Sequence, residues 1–156
     1  MGYFKTAADF GGYWLKGLKN FKGHDGEPLI QGSILKDGKK IGFFSEDSRG
    51  GPAALDVMMP EAERELRETA KRLDPEPWDE SYHGLFRRIA GEIEFQRRCT
   101  KIMKTKTLVV IQGKNGAEGD LMSFNHLWTA DSSAKIISLL DKEYGPGGYE
   151  ILNGQI

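Results

Sequence analysis

Cys99 is the only cysteine in the chain, which excludes an intramolecular disulfide framework. No C-x-x-C pair or Cys/His cluster offers a structural zinc site. Long apolar runs are missing too: nothing approaches the ~18 residues of a membrane span, and Met1 to Thr6 lacks the basic start and apolar stretch of a signal peptide. The expectation is a soluble protein of a reducing cytoplasm. Net charge is −1 and the isoelectric point is near 6.3, so the overall basic character of most nucleic-acid-binding domains is absent. There is no internal repeat and no low-complexity tract. At 156 residues the chain suits one domain, large enough to fold on its core alone.

Glycine, by contrast, is abundant. Of 20 glycines, 11 precede Pro52, which marks that part as strands and tight turns. Asp37-Gly38 is a favoured two-residue hairpin turn, because both positions need positive φ. If it is the turn, Ile34 faces Ile41, Gly32 faces Phe43 and Ile30 faces Ser45. Ile30, Ile34, Ile41 and Phe43 then form the core face, while Gln31, Ser33 and Lys40 share the other with Leu29, Leu35 and Phe44. Tyr13 to Phe21 supplies a third strand in a meander.

The middle of the chain reads as helical. Pro60 suits a first helical position, Glu61 and Glu63 the positive end of the dipole, and Lys71 and Arg72 the negative end. Ala62, Leu66, Ala70 and Leu73 form its apolar stripe. Asp74-Pro75-Glu76-Pro77 ends it, and a second helix from about Asp79 to Cys99 repeats apolar residues at Tyr82, Leu85, Phe86, Ile89 and Ile93. Leu108 to Ile111 is a buried-strand pattern, followed by a polar loop Gly113 to Gly119 and a strand near Leu121 to Asn125. A helix from Asp131 to Tyr144 would turn Ala134, Ile137 and Leu140 inward, and Tyr149 to Leu152 makes a short last strand. Strands, two helices, two strands, helix, strand is the order of an α+β fold, an antiparallel sheet packed with three helices.

Two constellations carry chemical interest. At the open end of the hairpin, Asp25, Glu27, Glu46 and Asp47 would converge, with His24 and Arg49 beside them. Clustered carboxylates hold divalent cations through oxygen, or split their pKa values and act as an acid and base pair. The plainer reading is that these acids cap turns, since their spacing matches no metal-binding loop and no metal or other cofactor is called for. The second constellation is charge. Asp56 to Glu80 holds nine acids against four bases, and Leu85 to Lys106 seven bases against two acids. On a helix, Arg87, Arg98 and Lys101 fall within roughly 60° of one another. With Arg97 and Lys104 nearby they form a basic row that would meet an acidic protein surface or a phosphate backbone. The plainer reading is a solvated face with Glu94 pairing Arg98.

Other features read as structural. Gly50-Gly51-Pro52, the Gly113, Gly116 and Gly119 triplet, and Gly145-Pro146-Gly147-Gly148 lack the context of a phosphate-binding loop and are turns. Cys99 is a packed thiol, and Trp14, Trp78 and Trp128 are packing residues. His83 and His126 stand alone and receive no role.

The run from Asn20 to Pro28, with His24-Asp25-Gly26-Glu27-Pro28 inside it, continues through Gln31-Gly32, then Gly38 to Ser45, then Asp47 and Gly50-Gly51-Pro52. This block resembles small uncharacterised proteins encoded by bacteria and their phages or other mobile elements. The resemblance covers about a third of the chain and implies no activity and no catalytic residues. It implies an accessory role, a class that includes inhibitors of host defence. The expected function is a non-enzymatic binding module that docks onto a host protein or nucleoprotein, with direct nucleic-acid binding not favoured. The alternatives are a metal-dependent hydrolase or nuclease using the hairpin-end carboxylates, and a protein that sequesters a small anionic signal.

Overall fold

Asp37 and Gly38 both take positive φ, 49° and 83°, and so close a two-residue hairpin between β2 (Pro28–Lys36) and β3 (Lys39–Ser45). A computed structural model describes residues 3–77, 80–112 and 119–156. Trp78, Asp79 and all but Gly119 of the Gly113 to Gly119 loop lie outside the described residues. The chain divides into two compact units: Lys5–Ile93, and the N-terminal residues through Phe4 together with Glu94–Ile156.

In the first unit, β1 (Tyr13–Lys22), β2, β3 and β4 (Ala54–Val57) form an antiparallel sheet in sequence order. One face of it carries Tyr13, Leu15, Leu18, Ile30, Ile34 and Phe44. These pack with Leu66 and Ala70 of α1 (Pro60–Leu73) and with Tyr82, Leu85, Phe86 and Ile89 of α2 (Ser81–Met103). Pro60 opens α1, and Lys71 and Arg72 lie in its last turn. The five apolar positions expected of the second helix, Ile93 included, are all buried.

The hairpin register differs from the expected one. Leu35 pairs with Lys40, but Ile34 pairs with Gly42, Ser33 with Phe43 and Gly32 with Phe44. Ile41 is an extra residue in β3, a β-bulge that moves every later side chain to the opposite face. Phe44 is therefore the core residue, while Phe43 is 39% exposed. A buried phenylalanine contributes about 1.5–3 kcal/mol over an exposed one, and Phe44 rests against Phe86 with ring centroids 4.9 Å apart. A second bulge lies in β1, between Lys16 and Lys19.

In the second unit the strand order is β6 (Asp120–Phe124), β5 (Thr107–Ile111), β7 (Tyr149–Ile151), both pairings antiparallel. β5 is buried on both faces. Leu108 and Val110 pack with Phe4, Cys99 and Leu152, while Val109 packs with Ile136 and Leu140 of α3 (Ser133–Tyr144). The inward residues of α3 are thus Ile136 and Leu140, and Ala134 and Ile137 are exposed. The apolar residues of this helix span a wide arc, and the sheet takes the i, i+4 pair that meets Val109. Among the described residues no helix is long and apolar enough to cross a membrane.

Candidate functional site

The two loops at the open end of the hairpin do meet: the His24 amide donates to the Ser48 carbonyl at 2.6 Å. Their carboxylates do three separate jobs. Glu27 accepts the Asp25 amide at 3.0 Å and Asp47 accepts the Arg49 amide at 2.9 Å, each closing its own turn. Asp25, His24 and Arg49 are exposed.

Glu46 points the other way. It is the first residue past β3 and it is buried. Its own amide donates to the Ile30 carbonyl at 3.0 Å, and its Oε1 accepts the Ile30 amide at 2.9 Å. The carboxylate so takes the place of a strand carbonyl where the ladder stops. The remaining acceptor positions face α2. Arg87 donates Nη2 to Oε1 at 2.6 Å and Nε to Oε2 at 2.8 Å, and His83 Nε2 lies 2.5 Å from Oε2. A carboxylate has about four lone-pair sites, and here four donors fill them. Arg87 Nη2 also reaches the Pro28 carbonyl at 3.3 Å.

His83 and Arg87 stand one helical turn apart, on the same face of α2 as a gap in its apolar pattern. An open depression of about 350 Å³ forms over them, lined by Glu46, Glu76, Pro77, Glu80, His83 and Arg87. Close by, the Tyr82 hydroxyl donates to the Ala53 carbonyl at 2.7 Å. Burial is the main reason its pKa is raised, opposed by the Arg67 charge; the Arg67 guanidinium lies 5.0 Å from the ring centre.

Arg87, the first residue of the expected basic row, is partly committed to Glu46. It clasps Glu46 in the first unit, whereas Arg97, Arg98, Lys101 and Lys104 are exposed residues of the second. His83 carried a legible signal, a histidine four residues before an arginine, which one buried acid can bridge. Among the described residues, no three or more His, Cys, Asp or Glu side chains are grouped to hold a metal ion. No family model matches the chain, and neither the curated proteins nor the solved structures contain a match.

Proposed function

We propose that this protein is a non-enzymatic binding module, an accessory protein of a phage or other mobile element that docks onto a host protein or nucleoprotein. The observation that carries this reading is the fourfold occupation of the Glu46 carboxylate by Ile30, His83 and Arg87. The one buried acid among the hairpin-end residues ties the sheet to α2. To serve as a metal ligand or a general base it would first have to break one of these bonds. Glu27 and Asp47 are likewise engaged by backbone amides of their own loops. What the surface offers is charge, with Arg97, Arg98, Lys101 and Lys104 exposed.

The test is capture by the tagged full chain from a nuclease-treated lysate of a bacterial host. A stoichiometric protein partner is expected, and the Arg98→Glu/Lys101→Glu variant should lose it with an unchanged melting midpoint. Exposed charges contribute little stability but can dominate encounter. Absence of any partner for the unaltered protein overturns the reading. Capture that survives the double reversal at low salt removes this row as the docking surface.

A further inference from the structure

We propose that the outer face of the four-stranded sheet is a platform for single-stranded nucleic acid, whether or not a host protein is also bound. Both bulges have the same consequence there. Strict alternation would place Lys16 and Lys19 on opposite faces of β1, and Lys40 and Phe43 on opposite faces of β3. The bulge in β1, where Gly17 takes a φ of 66°, keeps Leu18 in the core and turns Lys16 and Lys19 both outward. The bulge at Ile41 does the same for Lys40 and Phe43.

The register then lays out two rows across the sheet. One runs Lys16, Ser33, Phe43, Asp56, and the next runs Lys19, Gln31, Ser45, Ala54. Positive charge lies along β1, hydrogen-bonding side chains along β2, an exposed phenyl ring on β3 and a carboxylate on the edge strand. Lys16, Ser33, Leu35 and Lys40 line a depression of about 490 Å³ on this face. Two strand spacings separate Lys16 from Phe43, roughly 10 Å, a distance that a lysine side chain and one nucleotide together bridge.

This polarity suits a strand whose phosphates follow the β1 lysines, whose base edges pass over Ser33 and Gln31, and whose base stacks on Phe43, with Asp56 repelling phosphate from the far side. Sheet-borne aromatic rings flanked by cations bind unpaired bases in this way, because every base has a π-face. A duplex keeps its bases stacked internally and leaves Phe43 without a partner. An acidic protein surface would use the lysines but has no need of the ring. The near-neutral total charge does not count against the site: the excess acids lie in the Asp56 to Glu80 segment, from which the two rows take Asp56, on the strand farthest from the lysines of β1.

Fluorescence anisotropy of the full chain with a labelled oligothymidylate of about 12 nucleotides tests the proposal. Binding is expected in about 50 mM salt, weakening about 20-fold by about 200 mM if three phosphates are neutralised. Phe43→Ala should weaken it about fivefold or more. Phe43→Leu, which keeps apolar bulk without the ring, should do the same, and Phe43→Tyr should not. Lys16→Glu/Lys19→Glu should abolish it with an unchanged melting curve. Absence of binding in low salt, indifference to Phe43→Leu, or equal affinity for a duplex of the same length would each overturn the proposal. Equal binding of polyglutamate would also overturn it and mark the face as a docking surface for acidic protein.

Discussion

Replacing Glu46 with alanine removes the acceptor for four donors at once, and its cost can be worked from what each donor is left with. The Ile30 amide belongs to a buried residue of β2 and loses its carboxylate acceptor, a loss of about 1–3 kcal/mol. The side chains of Arg87 and His83 are 46% and 34% exposed, so both can turn to water. Their charge-assisted bonds therefore contribute at the lower end, about 0.5–1 kcal/mol together after screening. The total is about 3 kcal/mol. For a chain of this size that lowers the melting midpoint by about 6–12 °C. Glu46→Gln keeps one oxygen for Ile30 but turns an amide donor toward another donor, and should cost about half as much. Calorimetric melting of Glu46→Gln, Arg87→Ala and the double variant closes a cycle. A coupling of about 0.5 kcal/mol is expected, because the two side chains share two hydrogen bonds. A melting midpoint unmoved by Glu46→Ala, or a cycle additive within about 0.3 kcal/mol, would show that the clasp does not hold the sheet end to the helix.

Further outcomes follow from burial and backbone geometry. Burial, reinforced by the Glu65 charge, raises the Tyr13 pKa to about 12. The unfolded chain therefore loses this proton near pH 10 while the folded chain keeps it, and stability falls as pH rises from about 10 to about 12. Tyr13→Phe should flatten that fall in alkaline denaturation curves, and an unchanged slope would contradict the assignment. Tyr149 is also raised to about 12, first by its hydrogen bond to Asp141, so ultraviolet titration of Asp141→Asn should show one tyrosine ionising at lower pH than before. Gly38→Ala should cost about 1–2 kcal/mol from its left-handed φ alone, read as a lower urea midpoint with the same slope.

Most of the elements were legible because their signals are local. The Asp37-Gly38 turn, Pro60 at the head of α1, the apolar repeat from Tyr82 to Ile93 and the unbroken Leu108 to Ile111 run each follow from a short stretch of chain. The bulges were not legible. Ile41 has nothing in its own neighbourhood to mark it as an extra residue; it is displaced because Phe44 fits against Phe86 and Phe43 does not. The inward face of α3 was hidden for a similar reason, since Ile136 and Ile137 are equally apolar and only Val109 decides between them. At the hairpin end, reading the register from the turn brought the two loops together, as the bond between His24 and Ser48 reflects. It did not foresee that Glu46 would turn away from Asp25, Glu27 and Asp47. That choice depends on His83 and Arg87, which lie 37 and 41 residues further along.

The proposed role is binding, with Glu46 serving the fold. Sedimentation of the complex captured from host lysate by the Glu46→Gln variant tests it most directly, at a temperature well below the variant's melting midpoint. The expected result is a complex of the same stoichiometry as that of the unaltered protein, lost on Arg98→Glu/Lys101→Glu. Loss of the complex on Glu46→Gln, with the fold intact by circular dichroism and capture unaffected by the Arg98/Lys101 reversal, would contradict it and place the working site at Glu46 itself.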